Sequence, residues 1–279
     1  MKILQALKAQ PTQDGDGVNI QRIAGFDGRL LDPFLMIDEL KSDNRQDFIG
    51  GFPAHPHRGI ETFTYIIKGG FEHQDQMGNK KAIRSGDVQW MSTGRGVVHS
   101  EMPLAEAQGL HGFQIWINMD AKDKMNEPSY QDSTDGGLPE HANGQGATLK
   151  ALAGHWHFAS EVVQSPLTRL SSEAAIGDVS MQASAHFKMG ALNSETALVY
   201  IHSGSLKVDG NTYEQGTLFV LDPRSPLHAS SDEQSGFLIL RGQPLRQPIA
   251  HWGPFVMNTK EQLHQAVEDY RNGRFGAIS

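Results

Sequence analysis

FPAHPHRGIETFTYIIKGG, residues 52–70, sets His55 and His57 one residue apart ahead of a run that ends on a glycine pair. ETFTYII, residues 61–67, is rich in β-branched and aromatic residues and predicts a strand. Side chains alternate across an extended chain, so His55 and His57 share a face, with about 7 Å between their Cα atoms. Two imidazoles so placed can chelate one cation, each nitrogen at about 2.0–2.1 Å when the ion is zinc. Pro56 between them lacks an N–H and keeps the pair extended.

Outward from this stretch the chain repeats the same kind of segment. GDVQWM (86–91), GFQIWINM (112–119), ALVYIH (197–202), SLKVDGNTY (205–213), GTLFVL (216–221) and GFLILRG (236–242) are short strand-like runs set off by turn residues. Asp209-Gly210 marks a hairpin, because a two-residue turn there needs positive φ. A weak internal repeat links the two halves. Tyr65 and Gly69 of TYIIKGGFEH match Tyr200 and Gly204 of VYIHSGSLKV, and Gly86 matches Gly216 in the strand that follows. The pattern predicts an all-β chain of two related barrels in tandem. The polar, glycine-rich stretch 126–146 is the expected boundary, giving domains of residues 1–136 and 137–279. One helix is predicted near the C-terminus. Thr259 and Gln262 form a capping-box pair, Leu263, Ala266, Val267 and Tyr270 follow at helical spacing, and Gly273 supplies the stop.

Composition narrows the chemistry. The 279 residues are 38% hydrophobic and 8% aromatic, with 30 glycines and 13 prolines. That is enough apolar material for real cores and suits a turn-rich β protein. Cysteine is absent, so any metal must be held by His, Asp or Glu. A net charge of −8 disfavours direct nucleic-acid binding, which needs clustered Lys and Arg. No apolar run approaches the length of a membrane span, and the N-terminus lacks a cleavable signal pattern. A cytoplasmic location is the expectation.

A second segment supplies partners for the first. GDVQWMSTGRGVVHSEMP runs from a strand through a glycine-rich turn to His99 and Glu101, again two apart and able to share a face. Three imidazoles and a carboxylate suit Fe(II), Mn(II), Ni(II) or Zn(II). HPHRGIET, SGDVQWMSTGRGVVHSEMP and GPFVMNTKEQLHQAVEDYRNGRFG together resemble the pirins, a family of the cupin superfamily, over about residues 26–276. The resemblance implies a bicupin: two tandem cupin β-barrels with a short C-terminal helix and a metal in the N-terminal barrel alone. It implies His55, His57, His99 and Glu101 as ligands of one mononuclear divalent ion, Fe(II) first, with Mn, Ni, Co, Cu or Zn as alternatives. The glutamate of the general cupin motif falls on Glu61, expected beside the site rather than in it. The implied activity is that of a quercetin (flavonol) 2,3-dioxygenase. In it a flavonol-like aromatic substrate and O2 meet at the metal, Glu101 is the catalytic proton acceptor, and carbon monoxide is released. The family also suggests an alternative, an iron-dependent redox-sensing regulator that binds transcription or metabolic partners. A monomer without a membrane or nucleic-acid partner is expected in either case.

The repeat places Gly190, Leu192, Ala229 and Ser231 at the positions corresponding to the four ligands, which predicts a second barrel without metal. His228 is one residue off register, and His73, His111, His141, His155, His157, His186 and His202 fall outside the ligand positions, so a structural or surface role is expected for them. Trp90 and Trp116 are assigned to the core, with one able to line a pocket. Arg58 and Arg95 flank the ligand segments as ion-pair or substrate-anion candidates, and Gln114 is a candidate for supporting the site.

Overall fold

The computed structural model describes residues 1–278. Its described elements are β-strands, two 3-10 turns and one α-helix, Lys260–Arg271. The chain divides into two compact units. One comprises Gln10–Arg29, Phe34–Gly137 and 245 onward; the other comprises Met1–Ala9, Leu30–Pro33 and Leu138–Pro244. The units part at 137/138, within the glycine-rich stretch, and their segments differ from 1–136 and 137–279 at both ends of the chain. Strand Ile3–Lys8 pairs with Thr217–Leu221 and so belongs to the second unit's sheet. The C-terminal helix packs with Val98, Phe255 and Met257 of the first. Sequence proximity could not show this, because edge pairing and apolar burial decide where a terminal segment docks.

Each unit sets a seven-stranded sheet and a four-stranded sheet around its interior. In the first unit the large sheet runs Ser129–Asp132, Val88–Ser92, Ile60–Lys68, Leu110–Asn118, Phe34–Ser42, Val18–Ala24 and Gln10–Asp14. The small one runs Phe52–His57, Val97–Pro103, Gly70–Asp75 and Lys80–Arg84. The second unit repeats this order with Thr217–Leu221, Thr196–Ser203, Ser235–Gly242 and Ala175–Met181 in the matching places. The repeat seen in the sequence has a backbone cause. Gly86 and Gly216 take φ of 92° and 76°, a region costly for residues with a Cβ. Each then donates its N–H, at 2.8 Å, to the carbonyl of Ile66 or Ile201. Asp209 and Gly210, at φ 49° and 81°, close the expected hairpin. Thr259 and Gln262 exchange both capping-box bonds at the helix start.

The two interiors differ. In the second unit Phe158, Phe187, Phe219 and Phe237 fill the space between the sheets together with smaller aliphatics. In the first, an apolar cluster of Val18, Ile20, Leu40, Ile66, Phe71 and Ile83 occupies only part of the interior, and polar side chains line the rest.

Candidate metal centre

Strands Phe52–His57 and Val97–Pro103 are immediate antiparallel neighbours, with His99 directly opposite His55 and Val97 opposite His57. The two ligand-bearing segments, distant in sequence, therefore lie side by side in one sheet. A register shift between His99 and Glu101 marks a bulge, a device that re-aims side chains beside functional sites. The side-chain nitrogens of His55, His57 and His99 lie within 4.8 Å of one another, and the Nε2 atoms of His55 and His99 are 3.0 Å apart. Two nitrogens each about 2.1 Å from one ion and at right angles to each other would stand about 3 Å apart.

The far nitrogens are held by the backbone. His55 Nδ1 lies 2.8 Å from the Pro53 carbonyl and His57 Nδ1 3.3 Å from the Pro254 carbonyl. A carbonyl oxygen only accepts, so each Nδ1 carries the proton and each Nε2 keeps its lone pair for a cation. Burial, reinforced by the neighbouring His55, pushes the pKa of His57 well below the ordinary imidazole value. Burial likewise lowers His99, with His55, His57 and His73 adding to the effect. Both rings are held neutral, the form that binds metal.

Glu101 is 1% exposed and held by neutral donors. Its Oε1 accepts from the Thr64 hydroxyl at 2.9 Å and from the Gln89 amide, while Oε2 accepts from the Gln114 amide. None of these donors is a cation, so the buried carboxylate has no neutralising side chain among them, a costly state unless a positive ion is nearby. The donor set thus fits a divalent metal. Glu101 groups with His73 and His99 and shares a cleft lining with His55 and His57.

Other residues named from the sequence are placed as follows. Gln114 supports the site, as expected. Glu61 belongs to neither donor group. It lies three residues before Thr64 on the same strand, and strand alternation turns it to the opposite face. It is therefore not beside the metal site, contrary to expectation. Arg58 is buried and pairs with Asp269 at 2.9 Å, and Arg95 pairs with Glu127 at 2.8 Å. Both are tied up in ion pairs. Trp90 is buried, whereas Trp116 meets His57 edge-on at 5.1 Å and lines the cleft.

His73 was given no site role by the sequence, yet it lies directly opposite Glu101. It is fully buried, its Nε2 is 3.0 Å from Asp75 Oδ2, and its ring stacks on Tyr130 at 4.8 Å. Its Nδ1 and that of His99 have no hydrogen-bond partner among the described residues. The His73–Asp75 alternation was the available signal, but only the sheet register reveals which residues it faces. The cleft over the histidines has a volume of about 490 Å³ and includes Arg22, Phe26, Asp38 and Phe52 in its walls, with His251 contributed by the C-terminal segment.

Comparison with known proteins agrees with this architecture. The chain matches the pirin family over residues 17–117 and the pirin C-terminal cupin domain over residues 176–276. A Vibrio cholerae protein with a provisional quercetin 2,3-dioxygenase name is 44% identical over 274 residues, covering 98% of this chain and 97% of the relative. The crystal structure of quercetin 2,3-dioxygenase from Acinetobacter baumannii is similar at a TM-score of 0.87 and 31% identity, covering 100% of this chain and 99% of that one. A bacterial pirin from Escherichia coli, solved in complex with nickel(II), shares the fold at a TM-score of 0.63 and 18% identity, covering 86% of this chain and 99% of that one. With both pirin domains matched in order and a 44% identical relative aligned along almost its whole length, the chain belongs to the pirin family of two-domain cupins.

Proposed function

We propose that the cleft is the centre of a metal-dependent dioxygenase acting on flavonols such as quercetin, with one divalent cation, Fe(II) first, held by His55, His57, His99 and Glu101. The observation that carries this reading is the convergence of three imidazoles near a buried carboxylate with no cationic donor among the described residues. The quercetin dioxygenase names of the relatives and the nickel complex of the Escherichia coli pirin support it.

The residues divide the work. Pro53 and Pro254 fix the tautomers of His55 and His57 through their carbonyls. Thr64 and Gln89 occupy both acceptor positions of Glu101 Oε1, whereas Oε2 takes one bond, from Gln114. Oε2 keeps one lone pair, so it is the atom to coordinate the ion or to accept the proton of a substrate hydroxyl. A bound divalent ion would supply the charge that favours a deprotonated flavonol oxygen and the redox chemistry needed for O2. Trp116 and Phe26, edge to face at 6.2 Å, give the cleft flat apolar surface for a planar aromatic and exclude water from it. The overall conversion takes both atoms of O2 into the product and releases one ring carbon as carbon monoxide.

Fe(II)-loaded protein mixed with quercetin in air should bleach the flavonol's visible absorbance and release carbon monoxide in equal amount. Full metal occupancy with no quercetin consumed would overturn the reading.

A further inference from the structure

The residues around Glu101 belong to a longer array. Gln89 pairs in register with Thr64, Thr64 with Gln114, Gln114 with Asp38, and Asp38 with Arg22. Five neighbouring strands of the large sheet thus place one polar residue each in a single rank. Of the positions two residues away on these strands, Ile66, Met36, Leu40, Ile20 and Met91 are apolar and buried, whereas Thr62 is polar and Ala24 exposed. The rank is a polar belt across a largely apolar wall. Its first three members are spent on Glu101. Its last two bind each other: Arg22 donates to both oxygens of Asp38, from Nε at 2.8 Å and Nη2 at 2.6 Å.

That pair is built for more than holding two strands together. Asp38 is 3% exposed and the Arg22 side chain 27% exposed, and an ion pair so placed adds little net stability over apolar residues. Both residues line the cleft. Arg22 Nη2 also reaches Asp14, while Nη1 donates to no group among the described residues. Strands stand about 4.8 Å apart, so Arg22 lies two strands, roughly 10 Å, from Gln114 along the belt. Phe26 and His251, stacked at 3.9 Å, add aromatic surface to the same cleft.

We infer that Asp38 and Arg22 form a specificity-determining subsite that binds the hydroxyl groups at the end of the substrate remote from the metal. Resting on the flavonol reading, this assigns the pendant dihydroxyphenyl ring of quercetin to the Asp38–Arg22 end of the belt. Asp38 accepts from a ring hydroxyl, and the open Nη1 of Arg22 donates to its neighbour.

The test compares quercetin with the flavonol that lacks both pendant-ring hydroxyls, by tryptophan-fluorescence titration of the metal-loaded and metal-free protein and by KM in turnover. Hydrogen bonds to charged groups predict that wild-type protein binds quercetin about tenfold more tightly than the analogue. In Asp38→Asn, and in Arg22→Gln/Asp38→Asn, which leaves a neutral amide pair in place of the ion pair, that ratio should fall towards one. The double variant leaves no lone buried charge, and retained metal content certifies its fold. Equal binding of the two flavonols by wild-type protein, or an unchanged ratio in the double variant, overturns the subsite. Discrimination in binding without turnover would instead sink the dioxygenase reading and leave the subsite standing. Binding of neither flavonol overturns both.

Discussion

At the scale of single residues, the centre depends on the buried imidazoles of His57 and His99 staying neutral. Burial depresses the pKa of His57 and of His99 below their value in an unfolded chain. Between the unfolded and folded values the unfolded state binds more protons, so stability is complete above about pH 6.5 and declines as the pH falls. The metal-free protein should therefore lose Tm steadily between pH 7 and 5, in contrast to a His57→Gln/His99→Gln variant, whose profile should be flatter; calorimetry across that range checks it. The two glutamates separate by their surroundings. Glu101→Gln should lower metal affinity by more than the 10–100-fold typical of supporting residues, whereas Glu61→Gln should change it less than about threefold. Competition with a coloured chelator measures both. HxH and HxE spacing made the three histidines and Glu101 legible as candidates, because alternation along a strand is a local property. His73 was not legible, since its relation to Glu101 exists only across a strand pair.

Between elements, the C-terminal segment serves the centre it docks against. The Pro254 carbonyl faces His57 Nδ1. The Lys124 ammonium ties the carbonyls of Gly59 and Val256 at 2.6 and 2.9 Å. Asp269 of the helix pairs with Arg58, whose guanidinium also lies 4.6 Å over the Phe275 ring. Arg58 is 4% exposed, so removing its partner leaves a buried charge. Asp269→Ala should destabilise the protein by about 3–5 kcal/mol in urea unfolding and weaken metal retention through His57, the residue before Arg58. A loss below 1 kcal/mol would show the helix to be dispensable to the centre. The helix itself was legible from its capping box and apolar spacing. Its docking partner was not, because an apolar helix face specifies burial without specifying against which strand.

For the molecule as a whole, the same strand order appears twice with different contents. Among the described residues both potential metal-donor groups lie in the first unit, and the second unit's interior is packed with phenylalanines and aliphatics. Metal analysis should accordingly find one ion per chain, and His99→Ala should bring this towards zero. His155→Ala/His157→Ala should leave it at one. Two ions in wild-type protein would contradict this division of roles.

The order of local events was written in the sequence: where strands run, where glycine must allow positive φ, where the helix starts, and which imidazoles share a face. These depend on neighbours within a few residues and on the steric limits of the backbone. Tertiary structure alone decided the pairing of His55 with His99, the polar belt from Gln89 to Arg22, the turning away of Glu61 and the exchange of terminal segments between units. Each of these rests on sheet register and on the burial of apolar surfaces far apart in the chain, and neither is specified by any one stretch of it.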